Sequence, residues 1–230
     1  MDIFTKIYIL EKKIIKYNFK NKNLILKSIT HKSFSKINNE KLELLGDSIL
    51  NFIITKIIYK KYTNLNEGEI SNLRSILVKS STLSKIAKKL KINYFIIISE
   101  KKNTKIENSI LENVLEAIIG AIFLDSKNIY IIEKFIKKIY YYYFNNIKKI
   151  IKNNKNFKSE LQNYLQNYKI SLPIYKILEI KKKINKYNFV ILCKINNLSI
   201  SEYGYGINKQ TAEQNAAKKI LNILKKKHKN

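Results

Sequence analysis

Apolar residues over the first two-thirds of the chain recur every three or four positions, the rhythm of helices buried on one face. ILNFIITKIIYK (49–60) continues a helix that begins before it; EISNLRSILV (69–78) and STLSKIAKKL (81–90) follow a break at Thr63–Gly68. Ser99–Asn108 is polar and reads as a loop. SILENVLEAIIGAIFLD (109–125) is so apolar that it predicts a helix at a buried, central position. Tyr130–Ile151 reads as one more amphipathic helix. The pattern then lapses into Lys and Asn at KKIIKNNKN (148–156), the predicted linker.

Beyond the linker the rhythm changes. FKSELQNYLQNY (157–168) predicts a short helix, which cannot run past Pro173. Three strand-like runs follow, IYKILEI (174–180), YNFVILCKI (187–195) and LSISEYGY (198–205), and Lys209–Leu224 closes as an Ala-rich helix. The chain therefore predicts an all-α N-terminal domain over 1–150 and a small α+β domain, α-β-β-β-α, over 155–226.

Composition sharpens this picture. The 230 residues carry 45 Lys and Arg against 17 Asp and Glu, a net charge of +28 that draws polyanions. Part of that excess follows from base drift, because the favoured Lys, Asn, Ile, Tyr and Phe have A+T-rich codons and Arg occurs once, at Arg74. Under such drift the five glycines and the single Pro173 are expected where substitution is costly. One cysteine, Cys193, excludes an internal disulfide and a cysteine-based zinc site. No stretch reaches the roughly 18 uninterrupted apolar residues of a membrane span, and the N-terminus lacks the basic and cleavage regions of a signal peptide. The expectation is a cytoplasmic protein with no membrane partner.

Against this basic background, NEKLELLGDS (39–48) sets Glu40, Glu43 and Asp47 three and four residues apart, on one face of a helix. Such a face repels itself unless a cation sits there, either a Lys ammonium or a divalent metal. Glu116 follows Asn113 by three residues on the later helix, and two antiparallel helices could bring Glu43, Asp47, Asn113 and Glu116 together. Oxygen ligands of this kind suit Mg2+.

The runs HKSF (31–34) and NEKLELLGDSIL (39–50) closely resemble the signature of the ribonuclease III family. SILENVLEAIIGAIFLDS (109–126) resembles its second acidic motif, and NEGEISNLRSILV (66–78) its intervening segment. Residues 157–166, 172–175, 204–209 and 212–219 resemble, in order, a double-stranded RNA-binding domain. The resemblance implies a homodimeric endonuclease that uses Mg2+, with Mn2+ as an alternative ion. It would cleave double-stranded RNA to 5′-phosphate and 3′-hydroxyl products, with ribosomal RNA precursors among its substrates. It also implies Glu43 and Glu116 as metal ligands, with Asn113 at the position of a third, and catalysis by Asp47 and Glu116. Glu40 and Glu67 would face the RNA-processing cleft. In the second domain Gln162 and Asn163 suit hydrogen bonds to RNA, and Lys209 suits phosphate.

Other residues carry two readings each. His31 serves phosphate or a structural hydrogen bond, Gly46 admits a close helix or substrate, and Arg74 pairs with a carboxylate or is surface. Gly204 and Gly206 are expected in turns, and Lys218 and Lys219 as solvated charge. Two departures stand out. Asn113 replaces an Asp ligand, which removes a negative charge and predicts weakened metal affinity or an inactive RNA-binding relative. Its neighbour Glu112 points about 100° away and reads as a poor substitute. Gln210 stands where a second basic residue is usual, which should flatten the salt dependence of RNA binding.

Overall fold

Asparagine, abundant through drift, starts many of the helices. Asn21, Asn66, Asn128 and Asn156 each accept a backbone N–H in the first turn of the helix they precede, at 2.9–3.2 Å. A computed structural model shows them in a chain that divides into two units, Met1–Ile151 and Lys152–Asn230. The structure describes residues 2–99, 106–153, 156–183 and 186–227.

The first unit comprises α1 (Ile3–Ile9), a π-helical turn (Leu10–Ile15), α2 (Lys22–Ser28), α3 (Glu40–Lys61), α4 (Glu67–Val78) and α5 (Ser80–Lys89). It continues with α6 (Asn108–Ser126), α7 (Ile129–Ile139), α8 (Tyr141–Asn145) and α9 (Ile147–Asn153). As its composition predicts, α6 is central: Leu111, Val114, Leu115 and the run Ala117–Ile122 are buried. α3 crosses α6 with backbones touching. A Cβ on Gly46 would overlap the Glu116 carbonyl, and one on Gly120 would overlap the Leu42 carbonyl. The end of α6 anchors the segment after the π-helical turn, because Asp125 accepts the Tyr17 hydroxyl at 2.7 Å and the Lys20 and Asn21 N–H at 2.9 and 2.8 Å.

Two expectations change here, and a third is mostly out of reach. Tyr130–Ile151 is not one helix but parts of three, interrupted at Tyr140 and Asn146. Tyr140 is fully buried with its hydroxyl donating to the Leu77 carbonyl at 3.1 Å. The Asn146 side chain donates to the Tyr142 carbonyl at 2.8 Å, which competes with the helix ladder. The predicted linker is helical through Asn153, because Ile147, Ile150 and Ile151 keep helical spacing and pack on the core. Most of the predicted loop at 99–108 lies outside the described residues.

The second unit orders α10 (Phe157–Asn167), β1 (Ile174–Lys183), β2 (Lys186–Ile195), β3 (Ile200–Gly206) and α11 (Lys209–Lys227). The sheet is antiparallel in the order β1-β2-β3, with Ile191 opposite Gly204 and Tyr175 opposite Cys193. Leu161, Leu165, Ala216, Ala217 and Ile220 join Cys193 and Ile195 in its core. Between α10 and α11, Lys158 Nζ lies 2.6 Å from the carboxylate of the buried Glu213. β3 starts two residues later than predicted, after a 3-10 turn at Asn196–Leu198 and a left-handed Ser199.

Gly204 and Gly206 do not serve turns. Both lie in β3 beneath α11, where a Cβ would overlap the Ala212 carbonyl and approach the Ala212 nitrogen to 2.5 Å, respectively. The left-handed positions of the described chain fall instead to Lys16, Lys91, Lys127, Lys169 and Ser199.

Candidate active site and nucleic-acid interface

The crossing of α3 and α6 decides what faces what. With Gly46 seated on the Glu116 carbonyl, the acidic turns of the two helices stand side by side. Glu116 is 6% exposed and has no hydrogen bond or ion pair among the described residues. Burial first, then the negative charges of Asp47, Glu112 and Glu43, push its carboxyl up to about 8. Burial and Glu40 raise Glu43 above its ordinary value, partly offset by Lys32 and by a hydrogen bond from Asn113. Asp47 Oδ1 accepts the Asn51 amide at 2.7 Å, which fixes its rotamer. Glu43, Asp47, Asn113 and Glu116 are thus brought together.

The other acidic residues behave differently. Glu40 is exposed and paired with Lys32 at 3.0 Å, so at this end of the face the neutralising cation is a Lys ammonium. That ammonium holds Glu40 below its ordinary value. Glu67 opens α4 and shares a cavity of about 380 Å3 with Thr55, Tyr59, Ser71 and Arg74. Arg74 donates to Ser71 Oγ at 3.4 Å rather than to a carboxylate. His31 is buried, and its Nδ1 lies 2.9 Å from Ser33 Oγ, in keeping with the structural role. Glu112 was undervalued. Judged against Asn113 it points away, but it lies four residues before Glu116 and acts electrostatically on both Glu116 and Glu43. Its i,i+4 spacing was the available signal.

The donor set fits a hard divalent cation in kind, with oxygen ligands only and several negative charges around a buried carboxylate. Among the described residues no three or more His, Cys, Asp or Glu side chains are placed to hold a metal ion between them, so waters would have to complete the shell of any ion bound here.

In the second unit Gln162 and Asn163 are exposed on α10, and Lys209 is exposed at the first position of α11. The Asn208 side chain accepts the Thr211 N–H at 2.8 Å, so a phosphate near Lys209 would meet a helix N-terminus already partly capped. Lys218 and Lys219 are not simply solvated. Lys218 lies over the Phe157 ring, whereas Lys219 donates to the Tyr203 carbonyl at 2.8 Å. Among the described residues no helix is long and apolar enough to cross a membrane.

A helical unit with an acidic helix crossing, followed by an α-β-β-β-α unit, is the architecture of a nuclease that carries its own RNA-binding domain. Comparison with known proteins agrees. Residues 21–142 match the family described as ribonuclease-III-like, and residues 157–224 match the double-stranded RNA binding motif. Ribonuclease 3 of Wigglesworthia glossinidia brevipalpis is 42% identical over 218 residues, spanning 90% of this chain and 94% of that protein. Ribonuclease 3 of Francisella tularensis subsp. novicida (strain U112) is 40% identical over 213 residues, 92% of each. Among solved structures, the nuclease domain of ribonuclease III from Campylobacter jejuni aligns with a TM-score of 0.55 at 39% identity. It covers 58% of this chain and 94% of that one, and is described for structural flexibility in a region involved in dimer formation. The chain belongs to the ribonuclease III family and is an endoribonuclease with a double-stranded RNA-binding domain.

Proposed function

We propose that this endoribonuclease depends on Mg2+, with Mn2+ as an alternative ion, and cleaves double-stranded RNA to 5′-phosphate and 3′-hydroxyl products. Its substrates would be ribosomal and other RNA precursors in the cytoplasm. The observation that carries the reading is Glu116, a buried carboxylate ringed by like charges with no cation beside it among the described residues. Glu43, Asn113 and Glu116 would hold the ion. A bound divalent ion supplies positive charge to the phosphoryl group and lowers the pKa of water. Asp47, fixed through Oδ1 by Asn51, presents Oδ2 to accept a proton, and Glu116 shares that proton traffic. Glu40 and Glu67 border the RNA path. Gln162 and Asn163 reach minor-groove hydroxyls, and Lys209 meets phosphate.

A homodimer is part of the proposal. Leu44, Phe52 and Tyr59 are 72%, 58% and 70% exposed and fall within one stripe of α3. A second copy covering that stripe would remove a row of large apolar side chains from water.

The test is incubation of duplex RNA and duplex DNA with the protein, in Mg2+ or in EDTA. Cleavage of RNA alone, lost in EDTA and in Glu116→Ala, supports the proposal; cleavage that persists in EDTA defeats it. Asn113 favours a second reading, a relative that binds RNA without cutting. Clean binding with no cleavage in any metal would establish that one.

A further inference from the structure

Asn113 leaves the acidic turn of α6 without a carboxylate where a metal ligand is expected, yet the same turn carries Glu112. Along a helix, 112 and 116 are i,i+4 neighbours and 113 and 116 are i,i+3 neighbours, so both flank Glu116 on the side that meets α3. Glu112 and Asn113 are half-buried, whereas Glu116 is almost completely buried and has no partner among the described residues. An unpaired buried carboxylate beside other carboxylates is neutralised by a proton or matched by a cation, and a cation that binds there displaces the proton. Among the described residues Glu112 has no Lys or Arg ion-pair partner. Asn113 meanwhile acts on Glu43 as a neutral polar neighbour that favours its charged form but adds no charge.

We propose that Glu112 is a cation-holding residue of this site and restores the negative charge that Asn113 removes. The division of labour is then specific to this chain. Asn113 favours the charged form of Glu43, and Glu112 with Glu116 supplies the charge on the α6 side, directly or through an ion-bound water. On this reading the site is not charge-poor, because Asp47, Glu112 and Glu43 all act electrostatically on Glu116 at the crossing. The inference rests on the metal-dependent reading above.

Its test reads metal binding on the RNA-free, full-length protein rather than turnover. Mn2+ is titrated at neutral pH and followed by electron paramagnetic resonance for the wild type, Glu112→Gln, Glu116→Gln and the double variant Glu112→Gln/Asn113→Asp. Loss of an outer carboxylate should weaken Mn2+ affinity about tenfold in Glu112→Gln. The double variant should recover it, because Asp at 113 returns the charge. Thermal unfolding without metal monitors folding, and Glu112→Gln should unfold at or above the wild-type temperature because it relieves repulsion. If Glu116→Gln loses Mn2+ while Glu112→Gln binds within twofold of the wild type, the role of Glu112 is overturned and the site survives. If the wild type binds no Mn2+, or Glu116→Gln binds it normally, the metal reading falls and this inference falls with it.

Discussion

Glu116 concentrates the electrostatics of the nuclease unit in one side chain. Its carboxyl is held near 8 in the fold, against an ordinary value of 4.5. Between those values the folded protein keeps a proton that the unfolded chain has released, so stability must fall as pH rises through that window and level off above it. Thermal unfolding of metal-free protein should therefore show a melting temperature that drops from about pH 5 to about pH 8.5. Glu116→Gln should flatten the curve and exceed the wild type at the alkaline end; an unchanged slope in the variant would remove Glu116 as the cause. Glu43 and Asp47 were legible in the sequence because helical spacing aligns them on α3, whereas Glu116, on a separate helix, was legible only through the resemblance of its segment to the family's second acidic motif. The fate of Glu40 was not, since its partner Lys32 comes from the segment before the helix and local periodicity carries no sign of it. Glu112 was hidden by the wrong reference residue: next to Asn113 it looks misplaced, next to Glu116 it does not.

At the scale of elements, scarcity proved informative. Gly46 and Gly120 let α3 and α6 cross with backbones in contact, and Gly204 and Gly206 let α11 lie on β3. A methyl group at position 46 has no flexible side chain to displace, only the backbone of α6. Gly46→Ala should cost about 3 kcal/mol or more, read as a lower denaturant midpoint at unchanged m value. It should also depress cleavage, because the same crossing sets Glu43 and Asp47 against Glu116; wild-type stability would refute the close crossing. Scarcity has a second face. Lys127 ends α6 at φ 51°, where glycine is the usual occupant, so Lys127→Gly should stabilise the unit by about 0.5–1 kcal/mol. A measured loss of stability would show that the lysine side chain offsets the strain. Periodicity revealed the long helices and the three strands without difficulty. It did not reveal the breaks at Tyr140 and Asn146, which depend on a hydroxyl reaching the Leu77 carbonyl and on an amide competing with the helix ladder. Such tertiary and side-chain bonds leave no period in the sequence.

For the molecule as a whole, two units carry complementary tasks: the first holds an acidic helix crossing in a basic chain, the second an interface for duplex RNA. Charge reports this only in outline, because the same base drift that fills the surface with lysine also hides which lysines work. Lys219 is one with a structural task. β3 lies at the sheet margin, and its Tyr203 and Tyr205 carbonyls accept from Lys219 Nζ and Asn215 Nδ2, both at 2.8 Å. Those two bonds occupy the acceptors that an incoming strand would use. Asn215→Ala/Lys219→Ala should therefore form species larger than a dimer with rising concentration in sedimentation velocity, while the wild type does not. Identical profiles would show that the margin is guarded by something else. A chain drifting toward Ile, Tyr and Phe grows steadily richer in the segments from which fibrils assemble. Two polar side chains reaching over one strand give it a brake on polymerisation, made from the same lysine and asparagine that the drift supplies.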